Sequence, residues 1–169
     1  MQTATTPVDS LAASGVCFEN LSLGSAVTSE YRIITQDMIQ AFADLSGDDN
    51  PLHLNEAFAT ATKFRGIIAH GALVLAVVTG LASKIGIAKL EAFFTEINNW
   101  KFLRPVRPGD SIRLSMRIEA IEPLSRNQPG KMVTFCLRVE NQRQKTVQEG
   151  SWTAIITPRE TEANKADLN

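Results

Sequence analysis

Cysteine and histidine are scarce in this chain of 169 residues, which contains two of each. Cys17 and Cys136 lie far apart and form no Cys-x-x-Cys pair and no Cys/His spacing of the kind that binds zinc. This scarcity argues against a disulfide framework and a structural metal site, and it favours two reduced thiols. We expect no metal and no other cofactor.

A strong charge of either sign is also missing. The chain has 17 Lys and Arg against 18 Asp and Glu, a formal net charge of −1, so we expect no general attraction to nucleic acid or to an anionic membrane. Residues 1–15 contain no Lys or Arg, unlike a signal peptide. The most apolar stretch, Ile67–Ile87, is interrupted by His70, Lys84 and three glycines, which makes it a poor membrane span. We predict a cytoplasmic protein.

What the chain does have is core-forming residues: 44% of it is hydrophobic and 21% is charged, as in a globular protein with one domain. We predict that this domain spans residues 20–157. Residues 1–19 are predicted to be a flexible N-terminal extension, and residues 158–169 a flexible C-terminal tail, because both ends are poor in large apolar side chains.

Helical spacing dominates the first half of the domain. After a first strand at Ala26–Ile34, Thr35 is a suitable cap for a helix that Gly47 would end, and Asn55 is suited to cap a short second helix. The main helix, Ala72–Lys84, is apolar on nearly every side, so another element must wrap around it.

The second half alternates apolar and polar residues with period 2, which is typical of half-buried strands. Strands are predicted at 93–102, 111–120, 133–140 and 147–157. The predicted fold class is therefore α+β, a curled, mostly antiparallel sheet wrapped around a long buried central helix.

Two polar clusters are candidates for chemistry. Asp48 and His53 lie five residues apart across a proline turn and could hold one water, although the same residues could form a helix C-cap and an Asx turn with a surface histidine. His70 and Gly71 precede the buried helix, where free backbone N–H groups favour negative charge. The alternative there is a tight turn in which His70 caps or packs.

Three segments carry a resemblance to a known family: 42–54, which contains Asp-x-Asn-Pro-x-His, 64–71, which ends in Ile-Ala-His-Gly, and 102–110, which contains Pro-Val-x-x-Gly-Asp. Over about residues 20 to 157 the sequence resembles the MaoC-like dehydratases, especially the (R)-specific enoyl-CoA hydratases, which have the hot-dog fold. The resemblance implies interconversion of a trans-2-enoyl thioester and an (R)-3-hydroxyacyl thioester, carried by coenzyme A or acyl carrier protein.

The resemblance also implies roles for particular residues. Asp48 and His53 correspond to the catalytic pair that holds and activates water, and the Gly71 amide would bind the thioester oxygen. His70 and Asn50 are added as candidate oxyanion or substrate-binding residues, although Asn50 could equally hold the turn. Hot-dog domains of this type pair through their sheets, so we expect a homodimer.

Some features leave alternatives open. A hot-dog thioesterase would use a carboxylate and the same helix N-terminus, and a noncatalytic acyl-thioester binding subunit is a third possibility that intact Asp48 and His53 disfavour. Ala72 stands where the family usually has Met, and Asp49 adds a second carboxylate beside the pair. Four cationic side chains are candidates for phosphate contacts without being counted as site residues: Lys63, Arg65, Arg104 and Arg107.

Overall fold

A computed structural model describes residues 21–86, 91–125 and 128–158. Most of the predicted flexible ends, 1–19 and 159–169, therefore lies outside the described residues, as does Cys17. The described elements are β1 (Ala26–Thr28), β2 (Arg32–Ile33), α1 (Gln36–Ser46), α2 (Pro51–Leu54), α3 (Glu56–Ala61), α4 (Gly71–Lys84), β3 (Glu91–Phe102), β4 (Ser111–Ser125), β5 (Gln128–Asn141) and β6 (Thr146–Thr157).

The predicted first strand is two short strands, β1 and β2, because Ser29 interrupts the pairing with β4. The Ser29 hydroxyl accepts a hydrogen bond from the Leu114 amide at 2.9 Å, in a place where a regular ladder would use a backbone carbonyl. Three residues of the first segment then lie opposite two of β4 before pairing resumes at Arg32 and Ile112.

Helix α1 begins and ends where the sequence predicts. The Thr35 side chain accepts from the Met38 amide at 3.2 Å, and Gly47 ends the helix in the left-handed conformation with φ 75°. Asn55 caps α3 in the same way, through a 2.9 Å hydrogen bond from the Phe58 amide. The single-turn helix α2 was not predicted.

All six strands pair in antiparallel fashion in one sheet, in the order β1-β4-β5-β6-β3, with β2 also beside β4. The period-2 prediction is confirmed on β4 and β5, where pairs such as Leu114 and Val139 are opposite each other and fully buried. A register shift between Ile118 and Ala120 ends the strict alternation, and Ala120 is therefore only half-buried.

Helix α4 packs on the sheet through one side, and its buried residues there are Leu73, Val74, Val78, Leu81 and Ala82. Its opposite side carries small residues, including Ala76, Gly80 and Ser83, and is exposed. Only one side of α4 is therefore buried, whereas its sequence, apolar on nearly every side, predicts burial all round. In the part of the chain that the structure describes, no helix is long and apolar enough to cross a membrane.

Candidate active site

Asp48 lies in the loop that follows α1, and backbone geometry fixes its position. The left-handed Gly47 turns the chain, and the Gly47 amide donates to the Ala43 carbonyl at 2.8 Å. The Asp48 amide then donates to the Ser46 hydroxyl at 3.2 Å. The Asp48 Oδ1 atom accepts from the Asn50 amide at 3.4 Å, which leaves Oδ2 of this exposed carboxylate for a ligand.

His53 is held on α2, which Asn50 and Pro51 start. The Asn50 side chain caps this helix by accepting from the Leu52 amide at 3.0 Å, and Pro51 occupies its first position. His53 is only 9% exposed, unlike the surface histidine of the alternative interpretation. Asn50 thus holds the turn, and its predicted part in substrate binding stays a prediction.

The hydrogen bond of His53 determines which ring nitrogen can act as a base. Nδ1 lies 2.7 Å from the Ile68 backbone carbonyl, which can only accept, so Nδ1 carries the proton. In the neutral imidazole, Nε2 is then the nitrogen with a free lone pair, and it is the candidate proton acceptor.

His70 is the most deeply buried member of the cluster, with 2% exposure. Its Nε2 donates to the Asp48 carbonyl at 2.9 Å, and its ring centroid is 3.8 Å from that of His53. Its Nδ1 has no hydrogen-bond partner among the described residues. His70 therefore contacts both Asp48 and His53.

Gly71 is the first residue of α4, so its amide has no partner within the helix. Gly71 does not have a positive φ, and the tight-turn alternative therefore does not explain the glycine. Space explains it instead: a Cβ atom at this position would lie 2.7 Å from the Phe102 ring.

One cavity of about 530 Å³ has His53 and Gly71 in its wall, whereas Asp48 and His70 are not among its lining residues. His53 and Gly71 line it together, with Phe64, Phe102 and Gln148. The Asp48, His53 and His70 side chains each offer a polar atom, and these atoms lie within 4.8 Å of one another. The His53 imidazole and the first residue of α4 therefore share one cavity, and the Asp48 carboxylate lies beside the imidazole. This arrangement is suited to proton transfer beside a developing negative charge.

A family model described as a MaoC like domain matches residues 20–141, more than half of the chain. The chain belongs to the MaoC-like family. It is 32% identical to the (R)-specific enoyl-CoA hydratase of Rhodospirillum rubrum over 84% of this chain and 92% of that protein. It is 29% identical to the 3-hydroxybutyryl-CoA dehydratase of Methylorubrum extorquens over 63% of this chain, and the match spans only 66% of that relative.

Solved structures confirm the fold of this MaoC-like chain. A MaoC-like dehydratase from Rhodospirillum rubrum superposes with a TM-score of 0.77 at 27% identity, covering 87% of this chain and all of the other. A conserved hypothetical protein from Mycobacterium tuberculosis with a double hotdog fold superposes with a TM-score of 0.74 at 16% identity, covering 86% of this chain and 45% of the other. The predicted hot-dog architecture and family are confirmed.

The same three side chains of the MaoC-like site, Asp48, His53 and His70, form a donor set of the kind that binds divalent metals. Among the described residues, hydrogen bonds occupy Asp48 Oδ1, His53 Nδ1 and His70 Nε2, which leaves Asp48 Oδ2, His53 Nε2 and His70 Nδ1 as candidate ligand atoms. A tetrahedral zinc site would need them all about 2.0–2.2 Å from one ion. The same three side chains are also suited to proton transfer without an ion.

The four candidate cations separate into two kinds. Lys63 and Arg104 line the cavity, and Lys63 lies 5.2 Å from the centre of the Phe64 ring. Arg107 instead donates a hydrogen bond to the Phe64 carbonyl. Arg65 and Arg107 are not among the residues that line the cavity. Only the first two are placed to reach an anionic group of a ligand there.

Gln148 was missed by the sequence analysis although it lines the cavity and is 2% exposed. Its side chain donates to the Gly71 carbonyl at 3.0 Å and accepts from the Trp100 indole at 3.1 Å. The sequence did contain one indication, a glutamine in an apolar position of a predicted strand. When such a glutamine is buried, its side-chain amide needs hydrogen-bond partners. Its partners lie 77 and 48 positions away, so local pattern could not identify them.

Proposed function

We propose that this chain catalyses the reversible addition of water to a trans-2-enoyl thioester to give an (R)-3-hydroxyacyl thioester. The observation that carries the proposal is that His53 and Gly71 line one cavity while the Asp48 carboxylate lies beside His53. The reaction needs a group that activates water and another that stabilises charge on the thioester oxygen.

Asp48 and His53 are the proposed catalytic pair. Water bound between them loses a proton to His53 Nε2 as its oxygen forms a bond to C3 of the enoyl group. The electrons of the C2–C3 double bond move toward the thioester carbonyl and form an enolate. Asp48 and His53 then return a proton to C2. The sum is addition of one water, and dehydration follows the same steps in reverse.

Gly71 is the proposed oxyanion donor. Its amide is unpaired within α4 and lies at the positive end of the helix dipole, so it can stabilise the enolate oxygen as charge develops there. Removal of one such donor typically lowers kcat by about 10²–10³-fold in other enzymes.

The carrier and the stereochemistry rest on the relatives. The Rhodospirillum rubrum relative is named an (R)-specific enoyl-CoA hydratase, which supports the (R) product here. Coenzyme A and acyl carrier protein both present a phosphopantetheine arm, and Lys63 and Arg104 are placed to contact an anionic part of it. A cytoplasmic location stays a prediction from the sequence.

We also propose that two copies pair along β3. Among the described strands β3 has one neighbour, β6, so one side of its backbone is left as a sheet edge. Large apolar residues on β3 are exposed, including Phe93 at 66% and Ile97 at 51%. An apolar sheet edge of this length favours pairing with the same edge of a second copy.

The test is the loss of enoyl absorbance when the purified protein meets crotonyl-CoA, run beside an assay for free thiol. Asp48→Asn and His53→Ala are expected to lower kcat at least about 100-fold. Asp49→Asn, which neutralises the adjacent exposed carboxylate, is the matched control and should stay within about twofold of wild type.

Three other outcomes would each contradict a different part of the proposal. Release of free thiol would identify a thioesterase. An unreactive protein that binds crotonyl-CoA or a longer acyl thioester without turnover would identify a binding subunit. Equal losses in Asp48→Asn and Asp49→Asn would remove Asp48 from its assigned role.

A further inference from the structure

Gln148 is a buried amide at the wall of the proposed active site, and both ends of its side chain are used. Its Nε2 donates to the Gly71 carbonyl at 3.0 Å, and its Oε1 accepts from Trp100 Nε1 at 3.1 Å. The Gln148 side chain therefore connects the first residue of α4 to a side chain of β3.

The chemistry of the two partners fixes the orientation of this amide. An indole N–H can only donate and a backbone carbonyl can only accept, so the opposite rotamer of the Gln148 amide would face both partners with the wrong atom. At 2% exposure, water cannot readily replace either bond. Trp100 thus determines which atom Gln148 presents to Gly71.

A β-bulge in β3 places Trp100 for this contact. Asn98 pairs with Ser151 and Lys101 with Glu149, so two residues, Asn99 and Trp100, lie opposite the single residue Gly150. Asn99 has φ 51°, as bulge geometry often requires. A Cβ on Gly150 would lie 2.6 Å from the Trp100 ring, so this glycine makes room for the tryptophan.

The backbone of Gly71 needs such support because glycine has the freest backbone of any residue. The Phe102 ring packs against its Cα, where a Cβ would lie 2.7 Å from the ring, and Gln148 holds its carbonyl. The Gly71 amide and carbonyl flank the same Cα atom. Fixing the carbonyl therefore restricts the direction in which the amide points.

We propose that Gln148, oriented by Trp100, is a positioning residue that aims the Gly71 amide at the substrate oxygen. This inference rests on the proposed function, in which Gly71 is the oxyanion donor. Neither Gln148 nor Trp100 needs to touch the reacting atoms for this role, and it predicts a loss in kcat rather than in substrate binding.

The test uses the full chain and two conservative variants. Gln148→Met keeps the length of the side chain without its donor, and Trp100→Phe removes the indole N–H while keeping an aromatic ring. Gln142→Met is the control, because Gln142 also bridges two partners, Ser111 and Asp110, but is exposed. Crotonyl-CoA hydration and the ¹H–¹⁵N signal of the Gly71 amide are measured for each.

We expect kcat to fall about tenfold to a hundredfold in both site variants while KM changes less than about threefold. The double variant should be no slower than Gln148→Met alone, because both substitutions break one chain of contacts. The Gly71 amide signal should shift in both variants and keep its wild-type position in Gln142→Met.

An unchanged Gly71 signal in Gln148→Met would overturn the inference, as would additive losses in the double variant. If Gln148→Met fails to fold, the kinetics and the Gly71 amide signal of Trp100→Phe decide the question. If the wild type hydrates no enoyl thioester, the proposed function fails, and the Gly71 signal alone decides whether Gln148 holds this amide.

Discussion

The imidazole of His70 holds the backbone of Asp48: its Nε2 lies 2.9 Å from the Asp48 carbonyl oxygen, across 22 positions of sequence. The same ring lies against His53, with 3.8 Å between centroids. His70, which is 2% exposed, thus contacts both members of the proposed catalytic pair. Its predicted part in oxyanion or substrate binding stays a prediction, and from its contacts we infer that it also positions the pair.

His70→Phe tests that role. Phenylalanine keeps a flat ring against His53 but leaves the Asp48 carbonyl without its donor, which should lower stability by about 1–3 kcal/mol. We expect kcat to fall more than about tenfold with a smaller change in KM, since misplaced catalytic groups slow chemistry at a given occupancy. Thermal unfolding and steady-state kinetics measure both effects. Wild-type kcat in a folded variant would contradict the assignment.

Gly71→Ala tests whether position 71 needs glycine for its backbone conformation or for the room that a side chain would fill. Gly71 does not have a positive φ, so alanine is compatible with the helix and stability should change by less than about 1 kcal/mol. The new Cβ would instead displace the Phe102 ring, which lies 2.7 Å from that position. We expect kcat/KM for crotonyl-CoA to fall at least about tenfold.

A second substitution checks the cause of that loss. Phe102→Leu in the Gly71→Ala background provides a smaller side chain beside the new methyl group and should recover part of the activity, so that the two substitutions are not additive. Full additivity would show that Phe102 is not what excludes a side chain at position 71.

The features that the sequence analysis identified are local ones. Thr35 and Gly47 delimit α1 through contacts within four residues, and Asp48 and His53 are five positions apart in the sequence. Gln148 and Trp100 could not be found in this way, because their contact depends on the register of β3 and β6 and on a bulge between Asn98 and Lys101. A bulge changes which face a side chain takes, and the period-2 pattern does not reveal it.

Asn50 has two proposed roles that substitution can separate. As the N-cap of α2, its side-chain oxygen accepts from the Leu52 amide at 3.0 Å. Asn50→Asp keeps that acceptor, whereas Asn50→Ala removes it at a cost of about 1 kcal/mol. If Asn50 only caps, Asn50→Asp should retain activity within about threefold and Asn50→Ala should be less stable, as measured by urea unfolding. A large loss of kcat in a stable Asn50→Asp would assign the amide to the substrate.

The proposed dimer predicts the effect of a charge on the β3 edge. Ile97 is 51% exposed on a strand that has one neighbour among the described elements, so Ile97→Lys should weaken pairing of two copies by placing like charges together. Leu23→Lys is the control, because Leu23 is 70% exposed and lies outside β3. Sedimentation velocity at micromolar concentration should give a dimer for wild type and Leu23→Lys, and a monomer for Ile97→Lys.

The activity of the Ile97→Lys monomer then decides whether pairing also supports the site. Trp100 and Phe102 both belong to β3, and through Gln148 and direct packing they contact Gly71. Loss of the partner strand should therefore loosen the Gly71 amide and lower kcat together with the dimer fraction. A wild type that sediments as a monomer would contradict the proposed pairing, and a fully active Ile97→Lys monomer would show that β3 holds its bulge without a second copy.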